Sequence, residues 1–369
     1  MRKRWEYKKI GNLCNISTGK LDANAANENG LYPFFTCSKT PLSINSYAYD
    51  CECVLVAGNG DLNVKYYNGK FNAYQRTYIL QLKNNSINVD MRFIYAFFNL
   101  YIEELRRKSI GGIIKYIKLG DLTNAKLPCP PLSTQLAIVS ELDKINELIR
   151  LKKEQLKDFD NLAQSLFYEM FGDPVENEKG WEVKKLGEIC SIGTGSTPNR
   201  KNKDFYENGT YPWVKSTEVC NLPIYSVEEY ITEEALKNSN CTLYPPNTIL
   251  MAMYGQGKTR GQIGLLKIEA CTNQAVAAIM PIKEVVDEIF LSQHLMLMYE
   301  HIRNMARGGN QANLNLSIVK SIQIFLPPLP LQRLFAQRIE QIEREKSEVQ
   351  KSIQNLETLL ASRMQYWFE

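Results

Sequence analysis

Residues 5–19 read WEYKKIGNLCNISTG, and residues 181–195 read WEVKKLGEICSIGTG. Nine of these fifteen positions are identical, and the two stretches start 176 residues apart. Two copies of one large unit explain this repetition, whereas a solenoid needs three or more short repeats. The chain has 369 residues, which is enough for two domains of roughly 100–200 residues each.

A second repeated stretch lies near the end of each half. LPCPPLSTQ at 127–135 corresponds to IFLPPLPLQ at 324–332, which lies 197 residues later. Residues 135–171 then contain no Pro or Gly, and their apolar residues recur at heptad spacing. A helix of this length measures about 55 Å at 1.5 Å per residue. The predicted seam residues are Leu142, Ile145, Ile149, Leu156, Phe159 and Leu166 in the first helix, and Ile339, Ile342, Val349, Ile353, Leu356 and Leu360 in the second.

Two such seams in one chain most simply pack against each other. If a pseudo-two-fold axis relates the halves, the helices form an antiparallel coiled coil with one variable domain at each end. Two separate helices, each belonging to its own core, are the alternative arrangement.

The segments between the repeated stretches barely align, and each contains short apolar runs bounded by Gly, Asn or Pro. Val54–Ala57 and Thr248–Ala252 are two such runs, which are typical of buried strands. The predicted fold class is therefore α+β: two β-rich domains, joined by two long helices, in a pseudo-two-fold repeat. The predicted limits are 1–131 and 181–328 for the domains, 132–171 and 329–369 for the helices, and 172–180 for the linker.

Composition and charge exclude several classes of protein. Forty-four basic and 40 acidic residues give a net charge of +4, which excludes a uniformly basic nucleic-acid binder but allows local basic patches. No apolar run is long enough for a transmembrane helix or a secretory signal, so we expect a cytoplasmic protein. The nine cysteines are scattered and only two histidines occur, so we expect reduced cysteines and no metal site.

Motifs for catalysis are incomplete. Gly255–Thr259 resembles the end of a Walker A loop, but Ala252 stands where the first glycine is needed and no helix is predicted to follow. Glu6 and Lys8 resemble a metal-dependent nuclease pair, yet no acidic residue precedes them to share a cation. We therefore predict that the chain has no catalytic activity of its own.

Polar and basic loops remain, and they suit nucleic acid. Lys and Arg neutralise phosphates, whereas Asn, Gln and Arg have the forked geometry that reads base edges in the major groove. The predicted DNA-binding residues are Lys20, Asn59, Lys65, Arg76 and Lys115 in the first domain, and Thr197, Asn199, Arg200, Lys201, Lys203, Lys258, Thr259, Arg260, Asn310 and Gln311 in the second.

The whole chain resembles the DNA-specificity subunits of type I restriction–modification systems. The resemblance rests on Trp181–Pro198, Gly209–Trp213 and Leu326–Gln332, and on Phe167–Pro174, which joins the halves. It implies two target-recognition domains that each read one half of a split DNA site, with the long helices as a ruler. The first copy departs from the pattern, because Thr18-Gly19 is followed by Lys20-Leu21-Asp22 where the second copy has Ser-Thr-Pro.

The resemblance also implies partners. Two modification subunits would methylate adenine with S-adenosylmethionine, and restriction subunits would use ATP and Mg²⁺ to translocate and cut DNA. This chain itself would bind no cofactor. The two variable segments differ, so we expect an asymmetric target site. Two alternatives stay open at this point: a scaffold that binds only protein, and a nuclease with an unrecognised site.

Overall fold

The computed structural model describes residues 5–84, 88–111, 114–255, 257–306 and 313–368. The chain divides into two compact units, which we call unit 1 (Met1–Glu154 with Gln350–Glu369) and unit 2 (Gln155–Val349). Unit 1 is therefore built from two separate stretches of the chain, and each long helix is shared between the units. The predicted domain limits, which assign each long helix to a segment of its own, stay a prediction.

Unit 1 begins with a short strand and builds one large sheet. Its elements are β1 (Glu6–Lys9), α1 (Ile10–Leu13), β2 (Cys14–Thr18), β3 (Tyr32–Phe35), β4 (Leu42–Ile44), β5 (Tyr49–Ala57), β6 (Val64–Ala73), β7 (Thr77–Leu82), α2 (Met91–Lys108), α3 (Leu119–Thr123), β8 (Lys126–Cys129) and the first long helix, α4 (Leu132–Phe171). Six strands pair in the order β2-β7-β5-β6-β3-β4. β5 lies inside the sheet, and its residues 53–57 are buried on both faces, which explains why this stretch reads as a continuous apolar run.

Unit 2 repeats this plan with a more divided sheet. Its elements are β9 (Glu182–Lys185), α5 (Leu186–Ile189), β10 (Cys190–Thr194), β11 (Tyr211–Val214), β12 (Pro223–Ile224), β13 (Tyr230–Ile231), α6 (Glu233–Asn238), β14 (Ile249–Ala252), β15 (Ile263–Leu266), β16 (Cys271–Thr272), β17 (Val276–Pro281), α7 (Glu288–Leu297), α8 (Tyr299–Met305), α9 (Leu316–Ser321), β18 (Gln323–Leu326) and the second long helix, α10 (Leu329–Phe368). Five strands pair as β10-β17-β14-β15-β12, and three pair as β13-β11-β16.

The two repeated sequence stretches meet in space within each unit. β1 pairs antiparallel with β8, and β9 pairs in the same way with β18. Each of these two-stranded sheets thus joins the WExKK stretch to the segment before the Pro-Pro pair. The repetition in sequence is therefore the repetition of one structural junction, from which each long helix departs.

A buried glutamine fixes each junction. The Gln332 side chain accepts a hydrogen bond from the Asp287 N–H (3.0 Å) and donates one to the Pro327 carbonyl (2.7 Å). Gln135 makes the same two bonds in unit 1, with Asp90 (3.0 Å) and Pro130 (2.8 Å). Both glutamines are 0% exposed. Because a buried amide must be paired, the repeated Gln is a structural requirement of the junction.

In unit 1, the start of α4 and the end of α10 run antiparallel. Glu141 pairs with Arg363 (3.0 Å), and Lys153 pairs with Glu357 (2.8 Å), so rising numbers in α4 meet falling numbers in α10. The Arg363 guanidinium lowers the pKa of the Glu141 carboxyl below its ordinary value. The seam residues Leu142 and Leu360 belong to the same apolar core, where the last turn of α10 inserts the buried Phe368.

In unit 2, the end of α4 and the start of α10 are likewise paired. Lys346 bonds to Asp160 (2.8 Å), and the rings of Phe167 and Phe335 lie 5.6 Å apart, so the direction is again antiparallel. The predicted α+β fold, with two β-rich domains and two long antiparallel helices, is confirmed. Seven of the twelve predicted seam residues are buried and five are half-buried; the half-buried ones are Leu156, Phe159, Leu166, Leu356 and Leu360.

The core of unit 2 contains a buried histidine. His294 packs against Phe167, Phe290 and Phe325, and its Nε2 lies 2.9 Å from the Pro174 carbonyl oxygen. Burial lowers the pKa of His294 to about 4. His294 is thus a core residue, whereas the other histidine, His301, is exposed.

None of the helices described between residues 5 and 368 is long and apolar enough to cross a membrane.

Replacing Gln332 with Met should destabilise unit 2 by about 2 kcal/mol, because the Asp287 N–H and the Pro327 carbonyl would be left without their buried partner. Urea unfolding of the two proteins measures the difference. Gln337→Met is the matched control, since Gln337 lies exposed on the same helix. Equal destabilisation in both variants would contradict a special role for the buried hydrogen bonds.

Replacing His294 with Phe should remove a pH dependence of stability. The unfolded histidine titrates near 6.5 and the folded one near 4, so protons bind the unfolded state preferentially as the pH falls through this window. From pH 7 to pH 5 the wild type should therefore lose about 2 kcal/mol more stability than His294→Phe. Urea unfolding at both pH values measures this, with His301→Gln as the surface control. Parallel pH profiles for wild type and His294→Phe would contradict the prediction.

Candidate nucleic-acid interface

Four loops of unit 1 lie side by side at the end of the large sheet where β5 finishes. They are residues 18–21, 58–60, 74–77 and 115–117. Main-chain hydrogen bonds join them in series, from the Gly19 N–H to Thr77 (3.1 Å), from Gly58 to Arg76 (2.8 Å) and from Gly60 to Lys115 (3.0 Å). We call this set the unit 1 loop edge.

The five predicted DNA-binding residues of the first domain all lie on or beside this edge. Lys20, Arg76 and Lys115 are exposed, and Asn59 is half-buried. Lys65 is also half-buried, with its ammonium group bonded to the Asn63 side chain, and burial lowers the pKa of Lys65. The edge thus presents three exposed cations and an amide from separate parts of the sequence.

A repeated glycine allows these loops to approach closely. A Cβ on Gly19 would lie 2.1 Å from the Ala73 carbonyl oxygen, and one on Gly195 would lie 1.7 Å from that of Thr272. Both distances are far below van der Waals contact, so only glycine fits. The Thr-Gly pair shared by the two repeats therefore marks where the chain crosses the end of the sheet.

Unit 2 assembles its loops in the same manner. Main-chain hydrogen bonds run from the Ser196 N–H to Thr272 (3.0 Å), from Met253 to Ala275 (2.8 Å), from Gly261 to Ala252 (2.8 Å) and from Leu314 to Met253 (3.1 Å). We call this set the unit 2 loop edge. It brings residues 195–197, 253–255, 257–262 and 272–275 together, with residue 314 against them.

The first predicted group of unit 2 lies in the loop that follows β10. Thr197 is half-buried and bonded to Gln274, whereas Asn199, Lys201 and Lys203 are exposed. Asn199 accepts a hydrogen bond from the Lys201 N–H (3.1 Å) and shapes the turn that presents it. These residues place two ammonium groups beside the loop edge.

Arg200 has a different environment from its neighbours. Its guanidinium makes a two-pronged contact with Glu229 and lies over the rings of Tyr206 (4.5 Å) and Trp213 (4.8 Å). The guanidinium holds the pKa of the Glu229 carboxyl below its ordinary value. Arg200 thus has three partners within its own unit, Glu229, Tyr206 and Trp213. These contacts give it a structural role in addition to its predicted role in DNA binding.

The second predicted group of unit 2 lies in the loop between β14 and β15. Lys258 is exposed, while Thr259 and Arg260 are half-buried. Thr259 lies directly against Gly255, because a Cβ added to Gly255 would be only 2.7 Å from the Cβ of Thr259. The buried Nε of Arg260 has no hydrogen-bond partner among the described residues. The other predicted pair, Asn310 and Gln311, lies outside the described residues.

Three helix residues beside these edges were missed by the sequence argument: Tyr299 and Arg303 in unit 2, and Arg106 in unit 1. Each bonds to a loop carbonyl: Tyr299 to Lys258 (2.6 Å), Arg303 to Arg260 (3.1 Å) and Arg106 to Leu62 (2.9 Å). The two arginines are 197 residues apart, the same offset that relates Gln135 to Gln332. That shared offset is the sequence signal that could have found them.

Other kinds of site have little support in the described part of the chain. No group of three or more His, Cys, Asp or Glu side chains suits a metal ion there. The nine cysteines are all free. A groove of about 720 Å³ in unit 2 runs beside α7 and the paired helix segments, but none of the predicted loop residues lines it. The polar loop edges remain the candidate interface.

Known proteins resemble both halves of this chain. The EcoDI specificity subunit of a type I restriction enzyme from Escherichia coli is 26% identical over 376 residues, covering 95% of this chain and 84% of that protein. The MjaVIII specificity subunit from Methanocaldococcus jannaschii is 24% identical over 400 residues, covering 96% of this chain and 92% of its own length.

Solved structures share the fold. The S subunit of a type I restriction–modification system from M. genitalium gives a TM-score of 0.64 at 16% identity, covering 100% of this chain and 97% of that one. A chain from a structural study of complex assembly in the type I R-M system gives 0.62 at 18% identity, covering 99% and 97%.

The family model for the type I restriction modification DNA specificity domain matches residues 2–158 and again residues 178–358. These two matches coincide with the two sequence repeats, and each spans the loops of one edge. The chain therefore belongs to the type I restriction–modification DNA-specificity family, as a DNA-recognition subunit with two target-recognition domains.

Proposed function

We propose that each unit reads one half of a split, asymmetric DNA site through its loop edge. The observation that carries this proposal is that main-chain hydrogen bonds at matching positions gather basic and amide-bearing loops in both units, although the loop sequences differ. The matching bonds are Gly58 to Arg76 and Ile117 to Gly58 in unit 1, and Met253 to Ala275 and Leu314 to Met253 in unit 2. Two domains that share a scaffold but carry different loop side chains can bind the same DNA duplex, each with its own sequence preference.

The side chains supply both kinds of contact that DNA recognition needs. Exposed ammonium groups such as Lys20, Lys115 and Lys258 suit phosphates, which position a protein on the duplex without reading sequence. Forked groups such as those of Asn59 and Arg76 suit base edges in the major groove. The glycines of the Thr-Gly pairs let these loops approach one another closely.

The two edges present different side chains, which supports an asymmetric target. Unit 1 offers Lys20, Asn59 and Arg76, whereas unit 2 offers Lys258 and Arg260 in a loop of different length. Direct readout depends on the pattern of donors and acceptors that meets each base pair, so these sets select different half-sites.

The spacing between half-sites belongs to the same proposal. α4 and α10 each have 40 residues, or about 60 Å at 1.5 Å per residue, and each contributes residues to both units. We propose that these helices act as a ruler and fix the number of unread base pairs between the half-sites.

Catalysis is assigned to partner subunits. Two modification subunits would methylate adenine with S-adenosylmethionine, and restriction subunits would use ATP and Mg²⁺ for cleavage. Two features support a recognition role for this chain: its family and the incomplete catalytic motifs.

Methylome sequencing of the source strain, with and without this gene, tests the proposal. Deletion should remove one split adenine-methylation motif whose two halves differ. If the motif that disappears is continuous, the two-reader arrangement is wrong. If it is split but palindromic, the proposed asymmetry of the target is wrong. Cleavage of DNA by the purified chain alone would favour a nuclease, and no DNA binding even with partner subunits would favour a protein scaffold.

Replacing Lys258 and Arg260 together with Ala should abolish or relax recognition of one half-site, because both lie in the 253–262 loop of the unit 2 edge. The slope of log affinity against log salt should become shallower by about 0.9 for each phosphate that is no longer neutralised. Binding of the complex to the methylated motif measures both effects.

The control is Lys283→Ala, which removes an exposed charge beyond the opposite end of β17. It should leave both half-sites intact. If Lys258→Ala/Arg260→Ala recognises DNA as the wild type does, the assignment of this loop to DNA is wrong.

A further inference from the structure

We propose that Arg303 and Arg106 are positioning residues, which hold the two recognition loops in the shape that reads bases by binding their main-chain carbonyls. The inference rests on the proposed function, and it adds residues that lie on helices beside the loop edges. Each arginine is the third residue from the end of its helix, α8 in unit 2 and α2 in unit 1.

In unit 2, two side chains of α8 hold one loop at two points. Arg303 donates a hydrogen bond to the Arg260 carbonyl (3.1 Å) and another to the Tyr299 hydroxyl oxygen (2.7 Å). The Tyr299 hydroxyl in turn donates to the Lys258 carbonyl (2.6 Å). The guanidinium also lies 5.2 Å from the centre of the Tyr299 ring. The two residues thus bind both ends of the 258–260 segment.

In unit 1, Arg106 holds the corresponding loop, which links β5 to β6. Its guanidinium donates to the Leu62 carbonyl (2.9 Å) and lies 3.4 Å from the Asp61 carboxylate. Leu62 is buried, so this end of the loop is fixed to the core. The same residue type at the same repeat position therefore binds a loop carbonyl in both units, with different supporting side chains.

The loops need such a restraint because glycine makes them pliable. Gly257 and Gly261 have φ of +64° and +86°, and Gly60 has φ of +68°. Glycine adopts these conformations readily but loses the most conformational entropy when it is fixed. Base readout tolerates only small errors of position, so the reading side chains must stand on an ordered main chain.

The chemistry of arginine suits this task. A guanidinium is always charged and carries five donors in a fixed plane, so one side chain can bind two oxygens at once. A lysine offers a single ammonium group on a flexible stem. We therefore expect a lysine in place of Arg303 to preserve only part of the base discrimination.

This role differs from a phosphate contact in a measurable way. The Nη1 atom of Arg303 donates to two protein oxygens. Removal of this side chain should therefore alter base discrimination without changing the number of phosphates neutralised. Discrimination is the ratio of methylation rates for the correct site and for a site with one base changed. The salt dependence of binding counts phosphates and is the second readout.

The experiment uses the complex with its modification subunits and the split site identified from the methylome. Arg303→Met should lower discrimination by about tenfold at the half-site that Lys258→Ala/Arg260→Ala impairs, which is within the usual cost of one mismatched base pair. Discrimination at the other half-site and the salt slope should equal those of the wild type. Arg106→Met should instead lower discrimination at the half-site read by unit 1 and leave the half-site read by unit 2 unchanged. Each variant is therefore the control for the other.

Three further variants complete the test. Arg303→Lys should give an intermediate discrimination. If Arg303→Met does not fold, Tyr299→Phe removes only one hydroxyl and should still lower discrimination at the same half-site. Arg107→Met is the control for charge in unit 1, because Arg107 is 77% exposed and neighbours Arg106.

The outcomes separate this inference from the function on which it rests. If the wild-type complex recognises no split site, the proposed function fails and the inference fails with it. If the wild type reads the site, equal discrimination in Arg303→Met and wild type overturns only the inference. A uniform loss of rate at both half-sites, or a shallower salt slope, would also overturn it.

Discussion

The structure depends on burial of the apolar seams of α4 and α10 in two cores that lie in different stretches of the sequence. In unit 2 the end of α4 places Phe167 and Phe171 among residues of the second β-rich domain, and in unit 1 the last turn of α10 places Phe368 beside Phe93. Neither long helix could keep such residues in water, because removing one large apolar side chain from water is worth about 1.5–3 kcal/mol. Each domain therefore needs a helix segment from the other half of the chain to complete its core.

This constraint explains which parts of the two halves had to stay similar. The WExKK strand, the Pro-Pro segment and the buried glutamine together form the junction from which a long helix leaves its domain, and each is repeated. The Thr-Gly pair is also repeated, because Gly19 and Gly195 cross the sheet end where no side chain fits. The loops between these repeated segments are not needed to form the junction or the sheet end, so their side chains can differ between the two halves. The residues that hold the fold together thus differ from those that we propose read DNA.

Membership of the DNA-specificity family and the geometry of the loop edges support one another. The family match spans both halves, and the structure gathers basic and amide side chains from distant positions at one edge in each. Arg200 shows the limit of charge as a guide, because its guanidinium is held by Glu229, Tyr206 and Trp213 within its own unit. The helix arginines at the two loop edges show the opposite case, since they hold the main chain of the loops. The shape of each loop edge therefore also depends on residues that lie outside the loops.

The sequence by itself determined the two-fold repetition, the α+β class, the two long helices and the family, because these depend on periodicity and on motifs that recur at fixed offsets. It also pointed to the loops of the unit 1 edge and to two loops of the unit 2 edge, since Gly, Asn and Lys cluster there, but it did not name residues 272–275. Only the tertiary structure decided which residues share an environment. His294 and His301 lie close together in sequence, yet one is buried among aromatic rings and the other is exposed. Likewise, the sequence predicts Lys65 and Arg200 as DNA contacts, and only the structure shows their partners within the chain, Asn63 and Glu229. The physical reason is that burial and pairing come from contacts between residues far apart in the chain, which no local pattern records.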